Sequence, residues 1–187
     1  SSYSCTNGRQ VIATGSGTTI PKLQLNKGVN IVCTFTNTKK ATVIIKKVTS
    51  PVNDPTDFNF TTNLGDGFRL KGGQSKTFQT APGNYTVTEQ ANSNWEQTSA
   101  TCDNKQSPAQ LSVSAGQIVT CTFTNTLKTG SIGVTKSETD ANGNNAKPLR
   151  YWKFFLDANN NGVWNNGEKQ GSTNSSGQLN FTGLVAG

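Results

Sequence analysis

Three polar residues stand where an alternating strand calls for an apolar one. In TVIIKKV (42–48), Val43, Ile45 and Lys47 share one face. In NYTVTEQ (84–90), Tyr85, Val87 and Glu89 share one face, and in QIVTCTFTNT (117–126) Val119, Cys121, Phe123 and Asn125 do so. A lysine, a carboxylic acid and a carboxamide that meet in an apolar pocket can react with one another. Burial disfavours the ammonium form of lysine, so its neutral amine becomes a nucleophile. The same burial keeps a carboxyl group protonated, so Glu89 can hydrogen bond the Asn125 amide and shuttle protons as a general acid/base. Attack of Lys47 on the Asn125 carboxamide expels ammonia and leaves an isopeptide bond, formed once and not turned over. The alternative puts one or more of these residues at a strand end with its tip in water, since a buried charge is costly unless paired. Lys46 competes with Lys47 for the reactive position.

The elements that must hold these residues occur in repeats. CTFTNTKKATVIIKK begins at Cys33 and CTFTNTLKTGSIGVTK at Cys121, 121 − 33 = 88 residues apart. A fixed internal period marks a tandem array. Aligning TVIIKKV with SIGVTKS sets Lys136 under Lys47 and Thr135 under Lys46, which favours Lys47. The expected organisation is the C-terminal part of one repeat at 1–40, a complete repeat at 41–127 and the N-terminal part of a third at 128–187. The chain reads as a window on a longer array. Short Val/Ile/Phe/Thr runs separated by Gly, Asn, Asp and Pro argue for an all-β fold. About seven short strands within one unit point to a β-sandwich.

The four cysteines fall in two pairs at matched places in the repeat, Cys5 with Cys33 and Cys102 with Cys121. The repeat favours pairing within each unit as disulfides. Zinc is the rival, but it wants closer CxxC spacing or histidine, and there are 0 histidines. Disulfides imply export. The net charge of +7 is spread over scattered lysines, without the basic and aromatic interleaving of a nucleic-acid binder. No apolar run is long enough for a membrane span, and no signal peptide is visible. Without histidine no Ser–His–Asp site can be built, and the carboxylates form no acid/base pair beyond the Lys47 site. An enzyme is therefore not expected.

TVIIKK, APGNYTVTE and CTFTNT, in that order and spacing, resemble the prealbumin-like Cna-B/SpaA class of bacterial surface domains. The likeness spans 41–127. It implies tandem antiparallel Greek-key β-sandwiches. It also implies a triad of first-strand lysine, middle-strand glutamate and last-strand asparagine, matched here by Lys47, Glu89 and Asn125. The cysteine pairs depart from the pilin pattern, in which the lysine–asparagine bond stands alone, and they match a disulfide-bearing branch.

The last segment differs. From Asp157 it reads DANNNGVWNNGE, with Asp157, Asn159 and Asn161 at loop positions one, three and five, Gly162 at six and Glu168 at twelve. That spacing suits an oxygen-ligated calcium loop, with the Val163 carbonyl at position seven. It resembles the EF-hand-like loops of Sdr-type B repeats. The alternative is an ion-free Asn/Gly-rich hairpin. The expected function is a structural repeat of an extracellular cell-surface stalk, pilus or filament, its partners being neighbouring copies or repeats. The second reading is an adhesin module that recognises glycan or host protein through Trp95, Tyr151, Trp152 and Trp164.

Overall fold

A computed structural model describes residues 1–185, and the last two positions of the expected third repeat lie outside the described residues. Every extended element is a strand, and the only helical element described is one 3-10 turn. Two compact units are distinguished. One holds residues 1–92 and 97–126; the other holds 93–96 and the chain from Leu127 onward.

The first strands are β1 (Ser2–Asn7), β2 (Gln10–Ser16) and β3 (Ile31–Thr36), in the order β2-β1-β3. β1 and β3 run antiparallel with Cys5 opposite Cys33, and the two sulfurs are bonded. Tyr3 is buried and its ring lies 5.7 Å from that of Phe35.

Nine strands follow: β4 (Ala41–Ser50), β5 (Phe58–Thr62), β6 (Phe68–Leu70), β7 (Ser75–Thr80), β8 (Gly83–Tyr85), β9 (Val87–Glu89), β10 (Trp95–Cys102), β11 (Leu111–Val113) and β12 (Ile118–Leu127). They form a four-stranded sheet β10-β12-β4-β7, a three-stranded sheet β6-β5-β9 and the pair β11-β8. The two larger sheets face each other. Phe60 of β5 meets Phe123 of β12 edge-on at 5.1 Å between centroids, and Phe68 of β6 lies 5.5 Å from Phe78 of β7. Val43, Ile45, Phe58, Phe60, Val87, Val119 and Phe123 are buried between them. Each contributes about 1.5–3 kcal/mol of apolar burial. The fold is thus an all-β sandwich. The pairs β4–β7, β5–β6, β5–β9 and β8–β11 are antiparallel, whereas β4 and β12, the first and last strands, run parallel.

Two details differ from the sequence reading. NYTVTEQ is not one strand: it breaks at Thr86, where β8 pairs with β11 and β9 pairs with β5. The break is held by side chains. Asn63 Oδ1 accepts from the Thr86 N–H at 2.8 Å, and Thr62 Oγ1 donates to the Thr86 carbonyl at 2.7 Å. Those bonds replace ladder partners that a strand changing sheets must give up. Trp95, expected among candidate ligand-binding aromatics, is buried in the core.

The last strands are β13 (Gly130–Thr135), β14 (Ser137–Glu138), β15 (Lys147–Pro148), β16 (Lys153–Phe155), β17 (Gln170–Ser172) and β18 (Gln178–Leu184). They pair as β13-β18, β14-β15 and β16-β17. Buried Thr173 organises their turn: its hydroxyl donates to the Leu149 carbonyl at 2.6 Å and accepts from the Trp152 N–H at 3.0 Å.

Candidate functional site

Alternation along β4 buries Ala41, Val43, Ile45, Lys47 and Thr49 and leaves Lys46 exposed. Lys47 is therefore the lysine that enters the core, and its chain position is as closed as that of its apolar neighbours. Alternation along β12 buries Val119, Cys121, Phe123 and Asn125. The parallel register sets Phe123 beside Lys47 and Asn125 beside Thr49. Asn125 therefore lies two residues further along on the same face, within the forward reach of a lysine side chain. Glu89 comes from the opposing sheet, where β9 pairs with β5 and Glu89 stands opposite Phe60. Relative exposures are 0% for Lys47, 2% for Asn125 and 9% for Glu89, so none has its tip in bulk water.

The three side chains converge. Lys47 Nζ donates to Asn125 Oδ1 at 2.7 Å, and Asn125 Nδ2 donates to Glu89 Oε1. Lys47 Nζ and Glu89 Oε2 are 3.3 Å apart, as an ion pair. That Oε2 accepts no hydrogen bond of good geometry. Lys47 Nζ also points at the Phe123 and Val48 carbonyls, each at 3.3 Å, and sits 4.3 Å from the centre of the Phe58 ring. Burial lowers the Lys47 pKa from its ordinary value, with the nearby Glu89 opposing the shift. Burial raises the Glu89 pKa, opposed first by Lys47. Both shifts favour the neutral pair, amine and acid, over the ion pair.

This arrangement can do one thing chemically. The amine nitrogen donates to the amide oxygen at 2.7 Å, and that oxygen is one C=O bond, roughly 1.2 Å, from the electrophilic carbon. The leaving nitrogen is already hydrogen-bonded to the acid that must protonate it. The Phe58 ring and the Phe123 carbonyl, which line the amine, were not singled out from sequence. A buried aromatic in β5 was legible, but its contact with a lysine on another sheet was not.

Both cysteine pairs form disulfides, Cys5–Cys33 and Cys102–Cys121, and no described cysteine is free. Cys121 lies on the same face of β12 as Asn125, so this strand is tied to β10 within two turns of the pleat from the triad.

The Asp157–Glu168 loop folds around its own oxygens. Asp157 Oδ2 accepts from the Gly162 N–H at 2.7 Å, and Asn161 Oδ1 accepts from the Val163 N–H at 2.8 Å. Asn159 Oδ1 accepts from the Asn161 N–H at 3.2 Å. Glu168 reaches back to both ends of the loop, accepting from Ala158 N–H at 2.9 Å and Asn165 N–H at 2.8 Å. The Val163 carbonyl accepts from Asn165 Nδ2 at 2.7 Å. The Gly162 N–H holds the Asp157 carboxyl below the usual carboxylate range, so it stays charged. Gly162, at φ +76°, supplies the left-handed turn. The donor set is all oxygen, with two carboxylates, and so fits a hard divalent cation. Among the described residues no three His, Cys, Asp or Glu side chains cluster as a stronger site would need. Tyr151, Trp152 and Trp164 are exposed.

No protein-family model matches the chain, and no curated protein matches it. Among solved structures it is similar to the TIE protein of Bacillus anthracis, with a TM-score of 0.49 and 17% identity over 100% of this chain and 40% of that one. It is also similar to a streptococcal ancillary pilin, with a TM-score of 0.36 and 17% identity over 81% of this chain and 52% of that one. The chain thus spans about half or less of the length of either protein.

Proposed function

We propose that the chain is a load-bearing segment of an extracellular cell-surface stalk, pilus or filament. In this reading residues 41–127 form a complete repeat, flanked by parts of two others at 1–40 and 128–187. The observation that carries the proposal is the buried contact of Lys47 Nζ with Asn125 Oδ1 at 2.7 Å, with Glu89 on the leaving nitrogen.

The reaction balances within the triad. Lys47 passes a proton to Glu89 and becomes a neutral amine. Its nitrogen attacks the Asn125 carboxamide carbon, and a new C–N bond forms as the old bond to Nδ2 breaks. Glu89 gives that proton to Nδ2, which leaves as ammonia, and takes up the surplus proton of the new amide nitrogen, so the acid ends neutral. The product joins the first strand to the last. Such a bond serves a chain under tension and has no evident use in turnover. Intact mass tests the bond itself.

Once the lysine is consumed, Glu89 titrates alone. Its folded pKa lies above the ordinary 4.5 because burial penalises the carboxylate. The folded chain then keeps a proton that the unfolded chain has lost. This contribution to stability is complete below the unfolded value and disappears as pH rises through the folded one. Asp54, Asp140 and Asp157 are shifted down from 3.8, so their effects fall below this window. The linked chain should therefore melt at a lower temperature as pH climbs from the ordinary glutamate value through the raised one. A melting temperature that rises across the same window would place an ionised Glu89 in the folded state.

Calcium belongs to the same reading. Asp157, Asn159, Asn161, the Val163 carbonyl and Glu168 would hold the ion, and its charge would stiffen the loop. Titrating the full chain with calcium should give a weak heat, with a Kd of about 10⁻⁴–10⁻³ M, as for extracellular modules. Asp157→Ala should abolish it. An undetectable heat, or one unchanged by the substitution, would leave the loop a plain hairpin. The second reading, an adhesin module for glycan or host protein, rests on the exposed rings of Tyr151, Trp152 and Trp164. A glycan-array or pull-down screen separates it from a purely structural role.

A further inference from the structure

We propose that Asn166 is a site of spontaneous deamidation, a slow covalent change that the fold leaves open there and blocks at nearby Asn161. Four asparagines precede a glycine: Asn7, Asn142, Asn161 and Asn166. Glycine has no β-carbon, so its backbone nitrogen can approach the carboxamide before it. That nitrogen gives up its proton and attacks the side-chain Cγ. An N–Cγ bond closes a five-membered succinimide as the Cγ–Nδ2 bond breaks and ammonia leaves. Water then opens the ring at either carbonyl, leaving aspartate or isoaspartate. One water is gained and one ammonia lost. A nitrogen again displaces ammonia from an asparagine, but neither Lys47 nor Asn125 takes part.

The reaction needs a glycine N–H that can lose its proton and a carboxamide free to turn toward it. A hydrogen bond from the N–H, above all to a carboxylate, keeps the proton on nitrogen and aims the nitrogen elsewhere. At Asn161 both groups are engaged. The Gly162 N–H donates to Asp157 Oδ2 at 2.7 Å, and Asn161 Oδ1 accepts from the Val163 N–H at 2.8 Å. At Asn142 the Gly143 N–H donates to the Asp140 carbonyl at 3.0 Å. Asn7 is held in β1 between Gln10 of β2 and Ile31 of β3.

Asn166 differs on both counts. Asn166 and Gly167 are exposed, at the corner of a turn closed by the Glu168 N–H on the Asn165 carbonyl at 3.1 Å. Among the described residues, neither the Gly167 N–H nor the Asn166 carboxamide has a hydrogen-bond partner. The contrast between Asn161 and Asn166 is made by bonds that lie wholly within residues 157–168. Isoaspartate would add one carbon to the backbone inside the turn that sets Glu168, whose carboxylate holds the Ala158 and Asn165 N–H groups. Weaker calcium binding after ageing would rest on the calcium reading above; the deamidation does not.

Ageing the folded 187-residue chain at mildly alkaline pH, followed by rapid digestion and peptide mapping, tests this. The tryptic peptide 154–169 carries both Asn161 and Asn166, and its fragments locate the exchange of ammonia for water, about +1 Da. Asn166 should convert at least about tenfold faster than Asn161, Asn142 or Asn7. In Asp157→Ala the Gly162 N–H is released, and Asn161 should approach the rate of Asn166. In urea with the disulfides reduced, all four should convert at similar rates. A folded chain in which Asn166 ages no faster than Asn161 overturns the proposal. So does an Asn161 as slow in Asp157→Ala as in the native chain, or the same ranking in urea, since the fold would then not be what protects it.

Discussion

A chain carrying Glu89→Ala is expected to keep its full unreacted mass, whereas the native chain should be lighter by one ammonia, about 17 Da. Lys47 Nζ already touches Asn125 Oδ1 at 2.7 Å, but contact by itself moves no protons. The amine must first lose a proton, and the amide nitrogen must gain one. Glu89 touches both, through Oε2 at 3.3 Å from Lys47 Nζ and through Oε1 at Asn125 Nδ2. A positioned acid/base contributes about 10²–10⁴ in rate. Glu89→Gln keeps the shape and cannot relay the proton, so it too should stay unlinked. The unlinked variants should also melt lower. A cross-link between residues 78 apart removes on the order of 4–5 kcal/mol of chain entropy from the unfolded state, in the simple loop model. Glu89→Ala adds the cost of a buried lysine without its carboxylate. A native chain at its unreacted mass, with a tryptic peptide ending at Lys47, would refute the cross-link.

Pulling on the middle repeat from its two ends should give no extension from residues 48–124 in the native chain, and a large one in Lys47→Ala. β4 and β12 are adjacent, parallel and in register over Thr42–Ser50 and Ile118–Thr126. Force enters at the start of β4 and leaves at the end of β12, so the pair is loaded in shear. With Lys47 bonded to Asn125, the load passes from strand to strand through one amide and never reaches the chain between. In Lys47→Ala the 78-residue separation is released, less the 19 residues spanned by the intact Cys102–Cys121 disulfide, leaving 78 − 19 = 59. At about 3.3–3.6 Å per residue that is roughly 200 Å of new contour length. Adding reductant should extend the variant further and leave the native trace unchanged, because the disulfide loop lies inside the span that the isopeptide shelters. A native trace that unfolds with the same extension as Lys47→Ala would mean that the strands are held by hydrogen bonds and the disulfide alone.

Much of this site was legible from alternation. The side-chain period of two is a local stereochemical property, so the burial of Lys47, Glu89 and Asn125 among Val43, Val87 and Phe123 follows from their own strands. The choice of Lys47 over Lys46 is of the same kind, since adjacent residues in a strand point to opposite faces. The cysteine partners came from the repeat, because two copies of one phrase must place their cysteines alike. The breaks in alternation were harder to see. Thr86 looks like any strand threonine, and only bonds from Thr62 and Asn63 show that the chain changes sheets there.

What the sequence determined by itself, then, is the class of fold, the inward face of each strand, the cysteine pairs and the three residue types that could react. What only the tertiary structure decided is that they meet. Two facts bring them together: the parallel register that sets Asn125 beside Thr49, and the facing of the β6-β5-β9 sheet that carries Glu89 onto the Asn125 amide. Both relate residues tens of positions apart. Side-chain alternation is dictated by the covalent geometry of the backbone residue by residue. Register and sheet stacking are set by how whole apolar faces, with Phe58, Phe60 and Phe123 among them, close over one another, and no local pattern encodes that sum.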